Sequence, residues 1–66
     1  MLSQGTRVSI TLPYIGEVLG KVVGAAIPPH VGIVYIIEPD QNIMSEHYQY
    51  SHCVVPAELV FVIGAN

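Results

Sequence analysis

Few side chains in this 66-residue chain could act as nucleophiles, acids or bases, and their spacing matches no catalytic pattern. Cys53 is the single thiol, and a reactive cysteine needs an electropositive, partly exposed setting. The chain has only two basic residues, and the strand around Cys53 is expected to point it into the core. The carboxylates are scattered among predicted turns and strand ends: Glu17, Glu38, Asp40, Glu46 and Glu58. We therefore predict no catalytic residue and favour a non-enzymatic role.

Metal binding is the other chemistry that the residue types suggest. The candidate ligands are His30, His47, His52 and Cys53. A structural zinc site needs four ligands that converge at about 2.0–2.3 Å. His52 and Cys53 are adjacent, so on a strand they point to opposite faces, and the chain contains neither a C-x-x-C nor an H-x-x-x-H spacing. We predict no bound metal and no cofactor.

Charged residues are scarce and hydrophobic residues are abundant. Charged residues make up 11% of the chain, against roughly a quarter in an average domain, and hydrophobic residues make up 52%. A net charge of −3 argues against binding to the phosphate backbone of a nucleic acid. The longest uncharged run, residues 22–37, is shorter than the roughly 20 residues that span a membrane and contains two prolines. We predict neither a nucleic-acid partner nor a membrane partner.

The length predicts one small domain over residues 1–66. A domain of this size buries only about 60% of its unfolded surface, so it usually gains stability from disulfides, a metal or self-association. The single cysteine excludes an internal disulfide, and a lone thiol is typical of a reducing compartment, which predicts a cytoplasmic location. Of the three sources of additional stability, self-association is therefore the one that we expect for this chain.

The elements that would position these side chains are predicted to be short strands. Residues 6–12 alternate apolar and polar side chains, which predicts a strand with Val8, Ile10 and Leu12 on one face and a solvated polar face opposite. Further strands are predicted over residues 32–38, 46–55 and 59–63. Turns are predicted at residues 13–16, 27–32 and 39–42, and one tight helical turn at residues 56–58.

Residues 15–27 are compatible with two structures. Their apolar residues recur at helical spacing, and Gly16, Gly20 and Gly24 recur every four residues, a helix-packing pattern. However, a helix would lose roughly 0.8–1 kcal/mol for each glycine, and no capping residue precedes Glu17. In a strand the same glycines permit bends and bulges. We favour a curved strand, so the chain is predicted to be an all-β protein with five strands in a barrel or sandwich.

Short motifs of the chain resemble SH3 domains. The tail from Val54 to Val60 resembles the end of that fold, where a strand, a proline, a short 3₁₀ turn and the last strand follow in order. The opening Gly5-Thr6-Arg7-Val8 and the later Gly20-Lys21-Val22-Val23-Gly24 also look like an SH3-like layout. The resemblance implies a single five-stranded SH3-like barrel with a 3₁₀ turn before the last strand. The polyproline groove of SH3 domains is not implied, because the chain has no Trp and Leu59 stands where that groove has a Tyr.

The spacing of these motifs is also similar to that of plasmid-encoded type II dihydrofolate reductases, which are SH3-like barrels that work as tetramers around a central pore. The functional segment of that family is Val-Gln-Ile-Tyr, just before the last turn. The matching positions here are Ser51, His52, Cys53 and Val54. Because that segment is absent, the resemblance implies a self-assembling barrel and not reductase activity.

The strand predicted at residues 46–55 carries most of the candidate contact residues. If Val55 points inward, alternation places Ser51 and Cys53 on the inner face. The outer stripe then consists of Tyr48, Tyr50, His52 and Val54. Aromatic side chains with a polar tip favour interfaces, although tyrosines on a strand can also simply pack across neighbouring strands. Phe61 joins the candidate surface because the final strand carries no charge, and exposed strand edges are normally protected by charge.

Two functions are compatible with these features. The first is a non-catalytic interaction module that self-associates through its apolar strands and its tyrosine-rich strand, with a second copy of itself, or another protein, as the partner. The second is an oligomeric enzyme or small-ligand binder whose site forms at a symmetry axis. A single subunit of this size is expected to have little room for the roughly 300–1,000 Å³ pocket that a ligand usually needs.

Overall fold

Antiparallel strands make up most of the chain, as the alternating and β-branched segments predict. The computed structural model describes residues 1–41, 43–44 and 49–64, with side chains described for residues 1–41 and 51–64. The strands are β1 (Arg7–Leu12), β2 (Gly16–Ala26), β3 (Val34–Pro39), β4 (Ile43–Met44), β5 (Gln49–Tyr50), β6 (Cys53–Pro56) and β7 (Phe61–Gly64). A single 3₁₀ turn, Ala57–Leu59, precedes the last strand. The described part of the chain contains no α-helix, so the all-β class is confirmed.

Five of the strands form one sheet in the order β6-β3-β2-β1-β7, and β4 pairs with β5 in a separate two-stranded ladder. Each neighbouring pair in the larger sheet is antiparallel. It follows that β2, β6 and β7 run in one direction while β1 and β3 run in the other. The strands at the two edges, β6 and β7, therefore point the same way.

Within residues 15–27, Gly16–Ala26 form strand β2, so the helical alternative is excluded. The pairing of β2 with β3 shifts between Val22 and Gly24, which leaves Val23 as the extra residue of a β-bulge. Gly20 is required by a close approach of the two strands, since a Cβ atom there would lie 2.5 Å from the backbone oxygen of Glu38. The glycines thus allow β2 to bend and to approach its neighbour.

One face of the sheet forms the core. Its fully buried side chains are Val8, Ile10, Val22 and Ile37, and it also contains Tyr35, Cys53 and Val55. The alternation predicted for β1 is confirmed at Val8 and Ile10, which expose 0% of their surface, and Leu12 packs against the same cluster. The Tyr35 hydroxyl accepts a hydrogen bond of 2.8 Å from the backbone N–H of Leu2, which satisfies this buried polar group.

Three details differ from the sequence-based expectations. The strand predicted at residues 46–55 is interrupted at Ser51 and His52, because β5 pairs with β4 whereas β6 pairs with β3. Ser51 is therefore exposed, and its predicted inward position is wrong. The polar face of β1 is not uniformly solvated either, since Ser9 exposes only 7% of its surface. The last strand begins at Phe61, because Leu59 belongs to the 3₁₀ turn.

Candidate functional site

Strand β7 presents an apolar edge of the sheet. Within the described residues it is paired with β1 alone, with Val62 opposite Val8 and Phe61 opposite Ser9. Phe61 exposes 61% of its surface, and Val62 and Ile63 expose about half of theirs. Exposed edges usually carry lysine, another charge or proline, and β7 carries none of these. We call residues 61–63 the apolar edge.

The burial of Ser9 comes from its neighbours on the outer face of the sheet, the face opposite the core. Ser9 lies between Leu19 of β2 and Phe61 of β7 in the cross-strand register. Its hydroxyl donates a hydrogen bond of 2.9 Å to the Glu17 carboxylate, so the small polar side chain is buried with its donor satisfied. Ser9 is thus buried directly beside Phe61 of the apolar edge.

A row of charged and ionisable residues crosses the outer face from His52, just before β6, to Arg7 of β1. The His52 ring lies 3.7 Å from the Glu38 carboxylate, and Lys21 lies 3.9 Å from the same group. The Arg7 guanidinium donates two hydrogen bonds of 2.5 Å to Asp40. Those hydrogen bonds lower the pKa of Asp40 and raise that of Arg7. The row ends at Arg7, opposite Gly64, and does not extend onto the apolar edge.

A cleft of about 360 Å³ lies between the turn that joins β1 to β2 and the start of β6. It is lined by Leu12, Pro13, Tyr14, Ile15, His52, Cys53 and Val54. Its volume falls within the range of roughly 300–1,000 Å³ that small-molecule sites occupy. The described part of a single subunit therefore contains an open cleft of that volume, where little room was expected.

Tyr14 and Ile15 are cleft residues that the sequence interpretation missed. They lie in the turn where the backbone N–H of Ile15 donates a 3.3 Å hydrogen bond to the carbonyl of Leu12. Tyr14 is fully exposed and has a φ of +69°, a conformation in which Gly or Asn is usual. Turns are normally polar, so the tyrosine and the isoleucine in Pro13-Tyr14-Ile15-Gly16 are the feature of the sequence that could have identified this turn as part of a binding site.

Cys53 is buried at the base of this cleft, as its predicted inward position requires. It exposes 7% of its surface, and burial raises the pKa of its thiol above the ordinary value of 9.0. Desolvation disfavours the thiolate, which is the nucleophilic form. The residue has the properties of a small core side chain.

The structure separates the predicted contact residues. His52 and Val54 line the cleft at the β6 edge, and Val54 exposes 67% of its surface, whereas Phe61 lies on β7 at the other end of the strand order. Tyr48 lies outside the described residues. Tyr50 belongs to β5, but its side chain is not among those described. The described part of the candidate surface therefore consists of two separate patches.

The described residues offer no candidate metal site and no helix that could span a membrane. Among the side chains that the structure describes, no three His, Cys, Asp or Glu residues are grouped so that they could hold a metal ion. His47 and Glu46 lie outside that part of the chain. No helix in the described ranges combines the length and the apolar character needed to cross a membrane.

Comparison with known proteins gives no family assignment. No protein-family model, no curated protein and no solved structure matches this chain. Its function has to be inferred from the geometry of the apolar edge and the cleft.

Proposed function

We propose that the protein is a small non-catalytic assembly module that associates with copies of itself. The observation that carries this proposal is the apolar edge: three consecutive large apolar residues, all about half exposed or more, on an edge strand without charge or proline. Unpaired backbone N–H and C=O groups at such an edge are a template for another strand. A second chain placed there would remove both the apolar side chains and the backbone groups from water.

The proposed scaffold for this module is an SH3-like barrel. Two observations support it: five antiparallel strands in one sheet, and the order in which β6 ends at Pro56, the 3₁₀ turn follows, and β7 begins. That order is the one implied by the resemblance of residues 54–60 to SH3 domains. The core side chains contributed by β1, β2, β3 and β6 all lie on one face, as closure around a single core would require.

A second copy is favoured as the partner by the charge pattern. When a strand pairs with its own copy in antiparallel fashion, symmetry places equivalent residues opposite or near each other, so charged residues would meet like charges. The apolar edge has no charge to repel.

The mass of the protein in solution tests this function. Sedimentation equilibrium from micromolar to millimolar concentration should show the mass rise above that of the 7.1 kDa monomer. Phe61→Lys should weaken the association, because it places a charge on the apolar edge. Leu19→Lys is the matched control, since Leu19 is also exposed on the outer face but lies on an inner strand. A monomer over the whole concentration range would refute self-association.

The cleft favours a second candidate function, the binding of a small flat molecule. Tyr14 and His52 supply ring side chains to its lining, and Leu12 and Val54 supply apolar surface. Flat rings are commonly bound between such groups. This site would lie within one subunit, or would form part of a larger site at an oligomer axis.

Thermal unfolding in the presence of nucleotides and pterins tests the second function. A ligand that binds the folded chain raises the melting temperature, and Tyr14→Ala or His52→Ala should reduce that rise. Leu19→Ala, which removes an exposed side chain outside the cleft, should leave it unchanged. If none of these compounds raises the melting temperature, binding of these two classes is excluded.

A further inference from the structure

We propose that two copies pair through the apolar edge as antiparallel β7 strands across a two-fold axis perpendicular to the sheet. The two five-stranded sheets would then become one ten-stranded sheet, and the assembly would close as a dimer. This inference rests on the proposed self-association and specifies its geometry. It is carried by the directions of the strands and by the chemistry of the two edges.

The strand directions restrict how two copies can join edge to edge. Because β6 and β7 point the same way, a head-to-tail contact between β7 of one copy and β6 of the next pairs them in parallel. An antiparallel head-to-tail contact would require one sheet to be turned over. The core face of one copy and the outer, charged face of the other would then lie on the same side of the joined sheet. When two like edges are instead related by a two-fold axis perpendicular to the sheet, the edge strands are antiparallel and the two outer faces lie on the same side.

Antiparallel pairing of like edges is favoured on two grounds. An antiparallel pair is slightly more stable per residue than a parallel one. The contact is also isologous, so both apolar edges are covered at once and no free edge of that kind remains to recruit further copies. A head-to-tail contact would instead leave one edge open at each end and would build a ring or a filament.

Of the two possible like-edge contacts, β7 with β7 is favoured over β6 with β6. Strand β6 ends in Pro56, which has no N–H to donate, and it is preceded by His52, which lies 3.7 Å from the Glu38 carboxylate. Those features protect an edge from pairing. Exposed apolar surface alone would not distinguish the two strands, because Val54 of β6 is as exposed as Phe61.

The centre of the proposed contact is set by a bulge in β7. The pairing with β1 passes from Val8–Val62 to Arg7–Gly64, which leaves Ile63 as an extra residue. The strand bends at such a residue, so the regular segment available to a partner is centred on Phe61 and Val62. The two-fold axis should therefore pass close to these two residues.

Disulfide trapping tests this geometry. In a Cys53→Ala background whose melting curve shows that it folds, a cysteine is placed at Phe61, at Val62 or at Val54. Facing residues of an antiparallel pair have Cα atoms about 4.5–5.5 Å apart, within the range of about 4.4–6.8 Å that a disulfide spans. Phe61→Cys or Val62→Cys should form a disulfide with its own copy under mild oxidation, and Val54→Cys should not.

A second measurement uses charge and does not depend on oxidation. Phe61→Lys should raise the dimer dissociation constant by at least about tenfold, which corresponds to roughly 1.4 kcal/mol. Val54→Lys, the same change on the other edge, should alter it less than about twofold. An equal or larger effect of Val54→Lys would overturn the proposed geometry.

The outcomes separate this inference from the proposed function. A monomer at all concentrations would overturn both. An assembly larger than a dimer, or a disulfide formed between Val54→Cys and Phe61→Cys in a mixture of the two variants, would overturn the two-fold geometry and leave self-association intact. A dimer that is trapped at Phe61 or Val62 and dissociated by Phe61→Lys supports the inference.

Discussion

Tyr14 has an unfavourable backbone conformation that the folded subunit does not offset by packing. Its φ is +69°, and a left-handed conformation costs a non-glycine residue roughly 1–2 kcal/mol. Its side chain is fully exposed, so no buried contact compensates for this cost. The position of the ring at the rim of the cleft is consistent with a role in binding.

Replacement of Tyr14 by glycine should therefore stabilise the subunit. Relief of the backbone strain outweighs the flexibility that glycine adds to the unfolded chain, and the free energy of unfolding should rise by up to about 1 kcal/mol. The expected gain in melting temperature is about 4–8 °C at that upper limit. His30→Gly is the control, because His30 is also exposed with a φ of +66°. A loss of stability in Tyr14→Gly alone would show that the tyrosine ring packs in the folded protein.

The buried thiol should react slowly in the native protein. Burial raises the pKa of Cys53, so less thiolate is present at pH 8 than for an exposed cysteine, and reagent access is limited as well. We expect modification by a disulfide reagent to be slow without denaturant and fast in concentrated urea. Rapid modification of the native chain at pH 8 would contradict the burial of Cys53.

Asp40 should make stability depend on pH. Hydrogen bonds from Arg7 lower its pKa in the folded chain below the ordinary value of 3.8. Its contribution is therefore fully present above about pH 5 and is lost as the pH falls through the lowered pKa. Asp40→Asn should be less stable than the parent at pH 7 and should lose less stability between pH 5 and pH 2. Urea unfolding at several pH values measures both effects, and an identical pH dependence in the two proteins would contradict the assignment.

At the scale of the elements, β2 depends on two glycines that tolerate substitution differently. A methyl group at Gly20 would lie 2.5 Å from the backbone oxygen of Glu38, and backbone cannot move without disturbing the ladder. At Gly24 the nearest atom, 3.3 Å away, is the end of the Ile36 side chain, which can rotate. The same substitution should therefore have unequal effects at the two positions.

Gly20→Ala should destabilise the protein by about 1–3 kcal/mol, the usual cost of overpacking. Gly24→Ala should change the free energy of unfolding by less than about 1 kcal/mol. Chemical denaturation of both variants measures the difference. Equal effects would show that β2 and β3 separate enough at Gly20 to accept a side chain, and the proposed reason for glycine there would be wrong.

Local patterns in the sequence were sufficient for some elements and not for others. The alternation at residues 6–12 predicts β1 because its apolar residues fall at every second position and so share one face of the strand, which is the buried face. Residues 15–27 fit helix and strand equally well in periodicity, and the deciding contact of Gly20 with Glu38 lies 18 positions away in the chain. The break at Ser51 and His52 could not be predicted, because it arises from the pairing of β5 and β6 with different strands.

The candidate site was predictable to a similar extent. The uncharged final strand identifies Phe61 as a contact residue without any structural information. The cleft could not be predicted, because it joins Tyr14 to Val54 across 40 positions of the chain. The ion pair of Arg7 with Asp40 and the burial of Ser9 likewise depend on how the strands are arranged in the sheet.

At the scale of the whole molecule, most of the described charges are separated from the apolar edge; the exception is Glu17, whose carboxylate accepts a hydrogen bond from Ser9 beside Phe61. The charged row occupies the outer face between His52 and Arg7, and the adjacent edge strand β7 has none. Because a chain of this size has a small core, covering such an edge adds an appreciable share of the total stability. Folding and assembly are therefore expected to be coupled.

This coupling predicts that the melting temperature depends on protein concentration. A partner that binds only the folded chain stabilises it by mass action. Each tenfold increase in protein concentration therefore adds about 0.7 kcal/mol per subunit of a dimer to the free energy of unfolding, which raises the melting temperature by roughly 3–6 °C. The parent and Leu19→Lys should show this slope in calorimetry once dimers predominate, while Phe61→Lys should begin to show it only at concentrations at least about tenfold higher. A melting temperature of the parent that stays constant up to millimolar concentration, or an onset of the slope at the same concentration in Phe61→Lys, would contradict assembly through the apolar edge.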